Sequence, residues 1–296
     1  MFGDNCNPDF GDRKDALFYT DMHQAVRYVR SNKIDFYADE FMLPRSLPPF
    51  AHATILRNPV DRVLSEATIL FGDRAVSKAR TVAGDAVLYY MTGASTESEL
   101  DLLRNGNADF LLTKRFDIRK FRLPSGERIE YQPNVNYQIR ALCGCLFSDK
   151  NLCPVHSTTF DKTGEFDFYL SKFRTYGPNG TDTFFSFPVT EDHLHCAIHR
   201  LKKAYSVAIP MEYLKDGGPL LARRLGWKEN DFGDYRSGSS IVKETTVINP
   251  EILELAKVAH ALDFRLYEES KIMFKKQLDI VQEGIQTGRP PSEDPC

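Results

Sequence analysis

Residues 52–71 read HATILRNPVDRVLSEATILF, and this run leaves few folds open. HATIL is a short apolar stretch with β-branched residues, which reads as a buried strand. Asn58 then offers a side-chain cap, and Pro59 a first helical residue whose missing N–H costs nothing there. Val60, Val63, Leu64, Ala67, Leu70 and Phe71 follow on one helical face. Strand, tight turn and helix form the unit from which parallel α/β sheets are built. The predicted fold class is therefore α/β.

The rest of the chain continues that pattern. Residues 191–204 predict a helix, 205–209 a buried strand, and a second helix runs to about Gly226. Asn249 and Pro250 cap one long final helix with Ile252, Leu255, Ala259, Leu262 and Leu266 along its inner face. Residues 73–104 are largely helical, and a short helix over 20–29 and a strand over 34–37 come earlier. TKRFDIRKFRLPSGER, residues 113–128, is an exposed loop or hairpin. Residues 1–18 are polar and without period, a ragged terminus; 287–296 are Pro-rich and expected to be disordered. With no repeat and no long linker between them, residues 19–286 form a single domain. In a chain of 296 residues, 42% hydrophobic composition suffices for its core.

A net charge of −3 supplies no overall basic field, which argues against nucleic acid as a partner, so any anionic ligand is held locally. No run of 18 apolar residues and no signal-peptide pattern is present, so the chain as written is expected to be soluble. Cys143, Cys145 and Cys153 suit either a disulfide in an oxidising lumen or reduced, partly buried thiols. Asn179 begins a glycosylation triplet. His193, His195, Cys196 and His199 share one helix, but the glutamate of a zinc-protease motif is absent, and polar residues on an amphipathic helix explain them without a metal.

Arg57 lies where the strand of 52–56 ends, and Ser65 two turns up the next helix. Ligands of open α/β sheets bind outside the carboxyl ends of strands, and a guanidinium donates two parallel hydrogen bonds to a phosphate. The helical rise sets Ser65 about 9 Å from the turn, a gap that a side chain as long as arginine's spans. A surface ion pair is the alternative for Arg57.

TILRNPVDRVLSE, residues 54–66, resembles the LRDPVxRxLSE segment of the Golgi carbohydrate sulfotransferases, in particular the heparan sulfate 6-O- and 2-O-sulfotransferases. NYQIRAL, residues 136–142, is similar to their NxQxRxL segment; HRLKKAYSVAIPMEYL, residues 199–214, to a later strand and helix; LDFRLY at 262–267 with Lys271 and Phe274 to their closing helix. The resemblance spans roughly residues 34–280. It implies a three-layer, P-loop-type sulfotransferase fold with a central parallel sheet, and transfer of the sulfuryl group of PAPS (3′-phosphoadenylyl sulfate) to a hydroxyl of a glycan or glycoprotein. It further implies that Arg57 and Ser65 hold the 3′-phosphate, that Arg236, Ser237 and Ser240 reach over the nucleotide, and that Asn136, Gln138 and Arg140 lie near the acceptor. It favours Lys114 and Arg115, in the basic stretch, as sugar contacts; a solvated loop is the alternative. A Golgi lumen location, with a longer parent chain as a type II membrane protein, is the corresponding expectation.

The sequence departs from this family in two places. The KTGGTS-like loop that holds the 5′-phosphosulfate, and the strand before it, are not found in residues 1–52. Tyr37 stands where the 6-O-sulfotransferases carry a histidine base, and a phenol is a poor base at neutral pH, so Asp39 or Glu40 becomes the candidate, with a solvated acidic turn as the alternative. A non-catalytic relative that binds a nucleotide, a sugar or a protein is the second expectation.

Overall fold

A computed structural model describes residues 53–122, 126, 128–147, 175–176, 182–183, 188–225 and 248–290. The helix of 20–29, the strand of 34–37, Asp39, Glu40, Cys153, Asn179, Arg236, Ser237 and Ser240 lie outside the described residues.

Strand β1 (Ala53–Leu56) leads through Arg57 and Asn58 into helix α1 (Pro59–Phe71), as the opening run predicts. The Asn58 side chain accepts from the N–H groups of Val60 and Asp61 at 3.0 and 3.4 Å, which fixes the first turn. Three further helices follow, α2 (Asp73–Ser77), α3 (Ala86–Thr92) and α4 (Glu97–Arg104), then an antiparallel hairpin of β2 (Arg119–Arg122) and β3 (Arg128–Tyr131). Helix α5 (Tyr137–Phe147), the short pair β4 (Thr175–Tyr176) and β5 (Asp182–Thr183), helix α6 (Glu191–Ala204), strand β6 (Val207–Pro210) and helix α7 (Gly218–Leu225) lead to the last two helices, α8 (Pro250–Ala259) and α9 (Ala261–Gln286).

The result is a mixed α/β chain, mostly helical, with a small parallel sheet: β1 pairs in parallel with β6, Ala53 opposite Val207 through Leu56 opposite Pro210. All four residues of β6 are buried, as in a parallel strand covered on both faces. β1 was expected to be buried throughout, but only Leu56 is; Ile55 is 56% exposed, its face of the strand having no cover among the described residues.

Two apolar cores meet along the helices. One joins α1, α3, α4 and α8 with the hairpin, where Phe71 packs edge-on against Tyr90, Phe121 and Tyr131. The other joins Leu56, α5, α6 and α9 and continues along α9 to β6 and α7. No helix among the described residues is long and apolar enough to cross a membrane.

The single long helix expected after Pro250 is two helices that break at His260. The break is tertiary in origin, since the His260 ring is bonded to two other segments described below. The stretch from residue 287, expected to be disordered, is ordered as far as residue 290: the Arg289 carbonyl accepts from Arg223 at 2.6 Å, and its guanidinium bonds the Ile280 carbonyl at 3.1 Å.

Gly93 closes α3 with a φ of +73°, and a Cβ there would meet Phe116 Cε1 at 2.7 Å. Gly93→Ala is expected to cost about 2–4 kcal/mol through left-handed strain and overpacking. Gly106→Ala, also at positive φ but with open space around it, should cost only about 1 kcal/mol. Urea denaturation of the two variants checks this, and equal losses would contradict it.

Candidate functional site

Gln138 holds the turn that carries Arg57. Its Oε1 accepts the Arg57 N–H at 3.0 Å and its Nε2 donates to the Arg57 carbonyl at 2.9 Å, so one side-chain amide satisfies both polar groups of a peptide segment 81 residues away. The chain at Arg57 has left the β1 ladder and not yet entered α1, where backbone groups otherwise lack partners.

The segment before α5 supplies the rest of the framework. Asn136 adopts φ +51°, a left-handed conformation that Asn tolerates better than most residues. Its Oδ1 accepts the N–H of Asp263 at 3.1 Å, one of the orphan donors at the start of α9. In return the Asp263 carboxylate accepts the N–H groups of Gln138 and Ile139 at 3.1 and 3.0 Å at the start of α5. Each helix is thus capped by the other. The His260 ring closes the group: Nε2 faces the Met91 carbonyl at 2.9 Å and must carry the proton, and Nδ1 accepts the Asn136 N–H at 3.3 Å.

A second ring of polar side chains abuts the first. Arg62 Nη2 donates to Asn134 Oδ1 at 2.9 Å and to the Asn134 carbonyl at 3.2 Å. Its Nη1 faces Glu66 at 3.0 Å, and the guanidinium stacks on the Tyr137 ring at 4.1 Å. Asn134 donates to the Tyr90 hydroxyl, and Tyr90 to Glu66, both at 3.0 Å. Burial works against the Arg62 charge, but Glu66 and Asp263 outweigh it and hold its pKa above the usual value. Burial pushes the Asp263 carboxyl up despite Arg62 and the two N–H groups. It also drives His260 down to about 3, with Arg62 adding to the effect.

Against this framework the expected site residues separate into two groups. Asn136, Gln138 and Arg140 are buried, and their bonds described here are internal; Arg140, 1% exposed, donates from Nε to the Val135 carbonyl at 2.9 Å, and burial lowers its pKa to about 9. Lys114 is also turned inward: its ammonium bonds the Gly93 carbonyl, Ser95 Oγ and Glu99 Oε1 at 2.9, 3.0 and 2.5 Å, so all three of its protons are committed and the expected sugar contact is withdrawn. Arg115 is exposed. Arg57 and Ser65 form the other group. The Arg57 guanidinium is part-exposed at the carboxyl end of β1, and among the described residues it makes no ion pair or hydrogen bond; the Ser65 hydroxyl makes no hydrogen bond there either.

Sequence reasoning missed Arg62, Glu66, Tyr90, Asn134 and His260. A signal was present, because Gln132, Asn134, Asn136, Gln138 and Arg140 alternate along one segment and all are buried. The carboxyl end of β6 adds another group, in which Glu212 accepts from the Tyr267 hydroxyl and lies 3.5 Å from Lys271. On α6, Cys196 is disulfide-bonded and the His193 ring bonds Thr190 at the start of the helix, so neither adds a ligand to His195 and His199, the pair whose spacing of four could share a metal.

Comparison with family models, with curated proteins and with solved structures gives no match to this chain.

Two predictions follow from the framework. Gln138→Leu strips both partners from the Arg57 peptide and is expected to cost about 2–4 kcal/mol; urea titration showing less than about 0.5 kcal/mol would contradict the clamp. Burial lowers His193 to about 4 and His260 to about 3, below the ordinary value of 6.5. Between these values the unfolded chain binds more protons, so stability is full above pH 6.5 and falls as pH drops, by about 2 kcal/mol per histidine on reaching pH 5. Asp263, raised by burial, titrates in the opposite sense and offsets part of that loss at the acid end. Unfolding free energies at pH 7.5, 6 and 5 should fall, and should fall less steeply in His260→Gln; an unchanged slope in that variant would exclude the assignment.

Proposed function

We propose that this protein binds PAPS in the manner of the Golgi carbohydrate sulfotransferases and transfers its sulfuryl group to a hydroxyl of a glycan or glycoprotein, on a P-loop-type three-layer fold. The observation that carries the reading is the contrast between two arginines of one motif. Arg62 is spent on Glu66, Asn134 and Tyr137, whereas Arg57 has a clamped backbone and a guanidinium without a partner among the described residues. A fixed backbone with a free, forked cationic head suits phosphate capture, because little further order has to be imposed on binding. Ser65, on the helix that Arg57 leads into, supplies a hydroxyl donor for the same phosphate.

The parallel pairing of β1 with β6 supports this reading, since it places Arg57 at a strand carboxyl end, where α/β proteins bind ligands. The Cys196 disulfide fits an oxidising lumen. In the transfer itself the acceptor oxygen bonds to sulfur as the sulfur–oxygen bond to the 5′-phosphate breaks, and a base takes the acceptor proton. Asp39 and Glu40 are the proposed bases, and Arg236, Ser237 and Ser240 the proposed cover over the nucleotide.

The test is a thermal shift with PAP, the desulfated nucleotide, against AMP, which lacks the 3′-phosphate. At a hundred times its Kd, PAP should raise Tm by roughly 4–5 °C, and AMP by less. Arg57→Ala should abolish the difference between the two nucleotides while leaving the ligand-free Tm within about 1 °C. No response to PAP, or a response that survives in Arg57→Ala, would overturn the reading. PAP binding without transfer of labelled sulfate to any glycan would leave a non-catalytic nucleotide binder in its place.

A further inference from the structure

The carboxyl end of β6 holds a group of titratable side chains that phosphate binding at Arg57 does not use. Because Leu56 sits opposite Pro210, the chain leaves the two parallel strands at the same level, Arg57 from one and Met211 from the other, about 5 Å apart. Glu212 follows in a short turn over Met211–Tyr213. Ligands of α/β sheets bind in the crevice outside such strand ends, and here Arg57 and Glu212 come from its two neighbouring strands.

Two residues of α9 act on Glu212. The Tyr267 hydroxyl donates to Oε2, and Lys271 lies 3.5 Å from Oε1, longer than a firm hydrogen bond. The nearer partner of Lys271 is Glu268, at 2.8 Å. Burial first, then the bond to Glu212 and the charge of Asp61 in the first turn of α1, push the Tyr267 phenol up, so it stays a donor, and the influence of Asp61 puts the group beside the turn that carries Arg57. The Glu212 side chain is 41% exposed. One of its oxygens is oriented, and the other has only a loose contact. The other described carboxylates near the turn lack this combination: Glu66 and Asp263 bond within the polar framework, and Asp61 makes no side-chain hydrogen bond among the described residues.

We infer that Glu212, oriented by Tyr267, takes the acceptor's proton during transfer, ahead of Asp39 and Glu40; the inference rests on the nucleotide reading. A reactive side chain held in place by a third group is the recurring form of such sites. In PAPS the 3′-phosphate and the 5′-phosphosulfate leave the ribose at different carbons, so the base belongs to one side of the cation that holds the 3′-phosphate, as Glu212 lies to one side of Arg57. The acceptor O–H donates to Oε1 of Glu212. Its oxygen then bonds to sulfur, the sulfur–oxygen bond to the 5′-phosphate breaks with its electron pair leaving on PAP, and the proton passes to Oε1 and on to water. Glu212→Gln separates this role from that of a latch between α9 and β6, because the amide oxygen still accepts from Tyr267 but takes up no proton.

The experiment measures transfer of labelled sulfate from PAPS to desulfated heparan and to desulfated chondroitin by the purified protein, beside the thermal shift given by PAP. Glu212→Gln should lower kcat by about 10²–10³-fold, with Tm and the PAP shift unchanged. Added formate should restore part of the rate lost in Glu212→Ala, which a latch does not allow. Tyr267→Phe should lower kcat by about tenfold with KM little changed, as expected of a positioning residue. A kcat in Glu212→Gln within about twofold of the unsubstituted protein, no restoration by formate, or a loss confined to Asp39→Asn/Glu40→Gln would overturn the inference and leave the nucleotide reading standing. A PAP shift without transfer to either glycan would do the same. An absent PAP shift would overturn the nucleotide reading itself, and the role of Glu212 with it.

Discussion

Asp263 is fully buried, and its two carboxylate oxygens accept the N–H groups that open α5, while the Asp263 N–H is itself accepted by Asn136. This exchange ties the start of α5 to the start of α9 at one point. A buried carboxylate in an apolar core is costly, and what makes it tolerable here is a helix N-terminus on one side and the Arg62 guanidinium nearby. From this point the geometry propagates. Because α5 begins where it does, Gln138 reaches the Arg57 peptide; because α9 begins where it does, His260 falls outside both helices and can bridge Met91 and Asn136.

The consequence is a division between polar groups that build and polar groups that are left over. Arg62, Glu66, Tyr90, Asn134, Asn136, Gln138, His260 and Asp263 bond one another or the backbone between helices, and although Nε and Nη1 of the buried Arg62 make no hydrogen bond, the remaining bonds favour one arrangement of the segments that enter the network. Arg57, whose backbone this network holds, has no side-chain partner among the described residues, and the hydroxyl of the buried Ser65 makes no hydrogen bond there either. Rigid support with an uncommitted head group is the condition under which binding a phosphate loses little conformational entropy.

Much of the fold was legible in the sequence because it depends on local rules. Asn58 with Pro59, and Asn249 with Pro250, announce helix starts by capping chemistry, and the apolar spacing of α1 and α6 gives their lengths. The site was legible only in part. The segments at 54–66, 136–142 and 262–267 stood out as motifs, and the structure brings all three into one polar framework. Their side-chain roles did not follow from the motifs, because a polar residue beside a ligand and a polar residue capping a remote helix look alike in one dimension. The break at His260 was invisible for the same reason: the apolar spacing runs straight through it, and only bonds to residues 124 and 169 positions away show why the helix stops. Lys114 repeats the lesson, since its three partners lie 15 to 21 residues earlier in the chain.

The central claim is that the framework spends Arg62 and presents Arg57. A crystal structure of the protein with PAP tests it most directly. The account predicts the 3′-phosphate on the Arg57 guanidinium and the Ser65 hydroxyl, with the Gln138 amide still bonded to both sides of Arg57 and Arg62 still on Glu66 and Asn134. A 3′-phosphate held by Arg62 drawn away from Glu66, or bound at a place that touches neither Arg57 nor Ser65, would contradict it.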